Sequence, residues 1–196
     1  MSDSLTFVKD QISESSSVIQ KMVESCSEQI VQVSEMIIQT IENGGKVLWC
    51  GNGGSAAQAQ HLSTELMGGL RNHHRNAVAS VSLTTDSSFL TAWSNDVEFE
   101  FVFAKQVEGL GKEGDILIAI STSGNSANII KAMETAKQMG LKTVALTGED
   151  GGKLRGIADV EIKIPTTDTQ RIQEGHILSG HLFCELVEKH VVNRTG

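Results

Sequence analysis

Five short apolar runs, at residues 46–50, 77–83, 115–120, 142–146 and 159–164, alternate with longer stretches of helical period. This alternation constrains the chain more than any other feature. Strands separated by crossover helices pair in parallel, and a parallel sheet needs helices on both faces. The expected fold class is therefore α/β, a three-layer αβα sandwich around a five-stranded parallel sheet. Crossover helices are expected near 55–68, 86–93, 98–108, 126–139 and 151–157, with a last helix over 169–191. Ahead of the first strand, residues 2–43 read as helical throughout. Leu5, Val8 and Ile12 recur at helical spacing, then Val18, Met22, Ile30, Val33, Ile37 and Ile41. Ser15-Ser16-Ser17, weak in helix propensity, is expected to divide this stretch into two helices. Gly44-Gly45 reads as its stop. No repeat or linker interrupts the 196 residues, so one domain is expected over 1–196, with 1–43 as an added helical segment that packs in an oligomer.

Composition excludes several functions. With 24 acidic and 16 basic side chains the formal charge is −8, and aromatics are 4 % with no Tyr. A phosphate-backbone binder or a base-stacking platform is not expected from such a chain. No apolar run approaches the roughly 20 residues of a membrane span. Met1-Ser2-Asp3-Ser4-Leu5 has neither the basic nor the apolar region of a signal peptide, so a cytoplasmic location is expected. Cys26, Cys50 and Cys184 are far apart and read as reduced structural thiols.

The 19 glycines concentrate in connections, and two of these follow strands and open helices. In parallel α/β folds ligands bind at the carboxyl ends of the strands. Ser121-Thr122-Ser123-Gly124-Asn125-Ser126 supplies four hydroxyls and a helix start, where unpaired N–H groups and the helix dipole suit an anion. An ordinary N-cap requires one hydroxyl; four within six residues, with no Lys or Arg among them, point to a sugar phosphate. Gly51-Asn52-Gly53-Gly54-Ser55-Ala56 satisfies the loose dinucleotide pattern. However, the window where that pattern places its carboxylate reads Leu70-Arg71-Asn72-His73-His74-Arg75-Asn76, so no nucleotide cofactor is expected. Gly148-Glu149-Asp150-Gly151-Gly152-Lys153 is followed by Leu154, not Ser or Thr, and reads as a turn rather than a phosphate loop.

Two helices carry candidate chemistry. His61 and Glu65 are four apart and share one face of the helix after the first loop. Gln173, Glu174, His176 and His181 lie on the last helix, His176 reading as a core histidine. Gln173 and His181 are eight apart, about 12 Å along a helix axis. One small site is out of reach of both from a single straight helix, so different subunits are expected to contribute to each site. His73-His74 read as solvated.

Together these motifs resemble the sugar isomerase (SIS) domain family, and within it the bacterial phosphoheptose isomerases. The residues carrying the resemblance are the two loops, His61/Glu65, Asn95-Asp96, Leu146-Thr147-Gly148, Arg171-Ile172-Gln173-Glu174 and His181. It extends over essentially the whole chain. It implies a homotetramer that interconverts sedoheptulose 7-phosphate and D-glycero-D-manno-heptose 7-phosphate, toward the heptose of lipopolysaccharide or surface polysaccharide. It also implies one zinc ion on residues matching His61, Glu65, Gln173 and His181, with Gln173 assignable equally to substrate. Catalysis falls to Glu65 and His181, as base and acid in either order. Phosphate falls to Ser121, Thr122, Ser123 and Ser126, and the sugar to Asn52, Gly53, Gly54, Ser55, Asn95 and Asp96. Some members carry an acid three positions before the Gln of the last helix; here Gln170 stands there, with Asp168 two residues earlier. A non-catalytic relative that binds the replication initiator is the rival reading, but it lacks the acid/base pair kept here; an isomerase of another sugar phosphate, such as an arabinose or hexulose phosphate, is the third.

Overall fold

A computed structural model describes residues 2–195. Helix α1 (Ser2–Glu42) precedes β1 (Val47–Gly51), α2 (Gly54–Gly68), β2 (Ser80–Ser82), α3 (Ser87–Asp96) and α4 (Val102–Leu110). Then follow β3 (Ile116–Ile120), α5 (Ala127–Gln138), β4 (Lys142–Gly148), β5 (Val160–Ile164) and α6 (Thr169–Thr195). All strand pairs are parallel, in the order β2-β1-β3-β4-β5. Every residue of β1 and β3 is buried, as expected of central strands covered on both faces.

Strand residues alternate between two apolar layers. Val47, Trp49, Ile116, Ile118 and Ile120 face α1, α2 and α6, whereas Leu48, Cys50, Leu117 and Ala119 face α4 and α5. The three-layer sandwich is thus formed as expected.

Two expectations are corrected. The Ser15-Ser16-Ser17 tract does not divide the N-terminal segment, because α1 is one continuous helix of 41 residues. Serine costs a few tenths of a kcal/mol relative to alanine in a helix. Val18, Met22, Cys26, Ile30, Val33 and Ile37, one after another on the buried face, each return about 1.5–3 kcal/mol if fully buried. Ser15 also donates to Glu174 Oε2 at 2.6 Å. Packing outweighs propensity here. The helix expected over 151–157 is a single 3₁₀ turn, Gly152–Leu154. Gly151 and Gly156, on either side of that turn, have positive φ, which no continuous α-helix accommodates. All three cysteines are buried free thiols, as expected. Among the described residues no helix is long and apolar enough to cross a membrane.

Beneath the sheet edge Arg75 and Glu188 form a buried ion pair at 3.0 Å. Burial works to raise the Glu188 carboxyl pKa. The backbone N–H of Arg71, the Arg75 guanidinium and the N–H groups of Leu70 and Asn72 outweigh it, and the net shift is downward. A carboxylate held below its unfolded value near ~4.3 stabilises the fold above that pH, and the contribution disappears as pH falls through the lower folded value. Urea denaturation at pH 7, 5, 4 and 3 should therefore show stability lost in the acid limb. Glu188→Gln should be less stable at pH 7 and lose less on acidification.

Candidate active site

The connections after β1 lead to β2 on one side of the sheet, while β3, β4 and β5 extend to the other. The crevice between the carboxyl ends of β1 and β3 is therefore a topological switch point, where ligands of open α/β sheets bind. Both candidate loops leave from it. Asn52 and Asn128 join them through a reciprocal amide pair, each Nδ2 donating to the other's Oδ1 at 2.9 Å. Asn128, 3 % exposed, was not found by sequence reasoning. Its partner is 76 residues away, and an Asn inside a helix start gives no local signal.

In the first loop Gly53 has φ +54°, and an added Cβ on Gly54 would stand 2.4 Å from Gln173 Nε2. The amide of Gln173 is thus packed against the start of α2, and its backbone carbonyl accepts from Gln58 Nε2 at 2.7 Å. In the second loop Ser126 occupies the N-cap of α5 without making a side-chain cap bond. Its hydroxyl instead faces Ser121 Oγ at 3.3 Å. Ser123 Oγ accepts from the Asn125 N–H at 3.2 Å. The hydroxyls are therefore not spent on capping the helix. The 148–154 connection, read above as a plain turn, buttresses this loop: Gly148 N–H donates to Thr122 O and Leu154 N–H to Gly124 O, both at 3.0 Å.

A second cluster lies two turns along α2. His61 Nε2 and His181 Nε2 are 2.8 Å apart, and His61 Nε2 is 3.5 Å from Glu65 Oε1. One imidazole donates and the other accepts. Glu65 is 15 % exposed and His61 47 %, so the cluster is open on one side. Close packing brings the helices this near, since an added Cβ on Gly180 would stand 2.4 Å from a methyl of the buried Leu62. Helices α2 and α6 run side by side in one direction, matching Gly54 to Gln173, Leu62 to Gly180 and Leu70 to Glu188.

Three of the four residues assigned to zinc thus meet within one chain, and Gln173 lies apart near Gly54. Glu65 and His181 belong to the same chain's cluster, so any sharing between subunits runs between this cluster and the loops, not between those two residues. Two imidazole nitrogens and a carboxylate oxygen are suitable zinc donors, and ligands on a tetrahedral ion stand about 3.3 Å apart at Zn–N of ~2.0–2.1 Å. The imidazole pair must open by about 0.5 Å to chelate; among the described residues no three His, Cys, Asp or Glu side chains are already arranged around a common point.

Asn95 and Asp96, at the exposed end of α3, bond to each other at 2.8 Å. Asp168 Oδ1 accepts from the N–H groups of Gln170 and Arg171, which makes it the cap of α6 rather than a free carboxylate. His176 is buried and donates through Nε2 to Thr147 O at 3.0 Å. Burial lowers its pKa to about 4 against that bond, so it is a neutral core histidine pinning α6 to β4.

Residues 11–148 match the SIS domain family model. The chain is 48 % identical over 176 residues to a phosphoheptose isomerase of Helicobacter pylori (strain P12), covering 90 % of this chain and 91 % of that protein. The chain belongs to the phosphoheptose isomerase family of SIS domains. A phosphoheptose isomerase of Roseiflexus sp. (strain RS-1) is 47 % identical over 189 residues, covering 96 % of this chain and 95 % of the relative. Among solved structures, a phosphoheptose isomerase from Neisseria gonorrhoeae superposes with a TM-score of 0.89 at 44 % identity, covering 94 % of this chain and 98 % of that one. One from Francisella tularensis gives 0.92 at 36 %, covering 95 % and 98 %.

Proposed function

We propose that the chain is an aldose–ketose isomerase converting sedoheptulose 7-phosphate to D-glycero-D-manno-heptose 7-phosphate, a step toward polysaccharide heptose. The observation carrying this reading is the convergence of Glu65, His61 and His181 in a family whose relatives are named phosphoheptose isomerase. The hydroxyls of Ser121, Thr122, Ser123 and Ser126, with the start of α5, take the phosphate. Asn52, Gly53, Gly54, Ser55, Asn95, Asp96 and Gln173 bind the sugar.

Isomerisation moves hydrogen between adjacent carbons of the open-chain sugar. Glu65 removes a proton from C1 of the ketose while His181 donates one to the C2 oxygen, giving an enediol. His181, having given up its proton, then takes one from the O1 hydroxyl while Glu65 returns its proton to C2, leaving the C1 aldehyde and both groups as they began. His61, Glu65 and His181 would hold zinc, which would polarise the carbonyl oxygen; Gln173, packed at Gly54 away from them, is the alternative fourth donor in place of its role on the sugar.

We propose a cytoplasmic homotetramer in which the cluster of one copy faces the loops of another. Leu5, Phe7, Val8 and Ile12 are all at least half exposed on α1 and supply an apolar face for that association. Incubation of the purified protein with sedoheptulose 7-phosphate, with and without Zn²⁺, should give the aldose. Absence of product in both would overturn the reading. The rival non-catalytic role would show as a stable complex with the replication initiator and no turnover.

A further inference from the structure

The last turn of α2 carries no basic side chain, although its C-terminal carbonyls sit at the negative end of the helix dipole. A cation is supplied from outside the helix. Arg75 Nη2 donates to Glu65 O at 2.8 Å and to Leu66 O at 2.7 Å, and Nη1 donates to Asn76 O at 2.7 Å. Its Nε donates to Glu188 Oε2. Glu188 in turn accepts from the N–H groups of Leu70 and Arg71 at 2.8 Å and of Asn72 at 3.1 Å. The side chains are 1 % and 5 % exposed.

This pair joins the two helices that carry the cluster. One end holds the backbone carbonyl of Glu65 itself. The other is on α6, seven residues and thus two turns beyond His181. Gly180, Cys184 and Glu188 recur every four residues on the face toward α2: Gly180 against Leu62, Cys184 Sγ 3.9 Å from Leu62 O, Glu188 on the 70–72 connection. A small change in helix register at Arg75 is therefore transmitted to the relative positions of Glu65, His61 and His181.

We propose that Arg75 and Glu188 are positioning residues for the active site, fixing the register of α2 against α6. Lysine at 75 keeps the charge but cannot fork between two carbonyls and a carboxylate. Glutamine at 188 keeps the shape but replaces a carboxylate oxygen acceptor with an amide donor facing N–H groups. Misplacement of reacting groups by about 1 Å costs roughly 10²-fold in rate. Arg75→Lys and Glu188→Gln should therefore lower kcat roughly 10- to 100-fold and change KM little.

The inference rests on the isomerase reading for its kinetic arm, and a second arm is independent of it. In metal-free protein the ring signals of His61 and His181 should report their mutual hydrogen bond by NMR, and both variants should shift them. Lys189→Ala, one residue beyond Glu188 on α6, removes an ion pair with Glu185 four residues back and should shift neither. Arg75→Lys is the milder change if Glu188→Gln fails to fold. Variants that melt earlier but keep wild-type kcat and ring signals would reduce the pair to a fold stabiliser and overturn the proposal. A wild type without turnover would sink the isomerase reading alone, and the ring signals would still decide the clamp.

Discussion

Replacing Glu65 by Gln should leave a folded protein whose kcat falls by about 10²–10⁴-fold, the span expected for loss of a general base. The substitution changes almost no volume, so packing against α6 is retained. It removes the only proton acceptor in the His61, Glu65, His181 cluster that carries a negative charge. An amide cannot take the C1 proton, and His61 is already engaged with His181 at 2.8 Å. Circular dichroism and the thermal midpoint should match wild type while turnover collapses. A Gln variant with wild-type kcat would assign the base elsewhere.

The second large effect is expected at Gly124. Its φ is +62°, and an added Cβ would stand 2.0 Å from Gly151 O and 2.6 Å from Gly151 C, both backbone atoms. The opposite loop answers with Gly152, whose added Cβ would meet Ser123 O at 2.3 Å. The two connections are locked backbone to backbone, and neither gives way cheaply. Gly124→Ala should cost roughly 1–3 kcal/mol of stability from strain and displace Ser121, Ser123 and Ser126. KM for the sugar phosphate should rise at least tenfold, with kcat less affected. Gly109→Ala, with nothing within 4 Å of the added methyl, is the control. Unchanged KM in Gly124→Ala would remove the phosphate from this loop. If sites are shared in the proposed tetramer, mixing Gly124→Ala chains with Glu65→Gln chains should restore activity, the intact loops of one completing the intact cluster of the other. Glu65→Gln mixed with His181→Ala should not recover, since both residues belong to one chain's cluster.

Local patterns made the sheet and half of the site legible. The strand runs, the hydroxyl-rich loop and the i,i+4 pair His61/Glu65 are each contained within a few residues. What stayed hidden depends on partners far along the chain. Asn128 is defined by Asn52, Arg75 and Glu188 by each other across 113 residues, and Gly180 by Leu62. The continuity of α1 is not legible locally, because serine propensity is a property of neighbouring residues while the burial that overrides it comes from α6 and the sheet. The 148–154 connection reads as a bare turn in sequence because its glycines are explained only by the backbone of the loop opposite.

The most direct measurement follows sedoheptulose 7-phosphate by NMR in D₂O with wild-type protein and with Glu65→Gln. The account predicts the aldose heptose 7-phosphate with solvent deuterium at C2 from wild type, and almost none from the variant. No aldose from wild type, or equal amounts from both proteins, would contradict it.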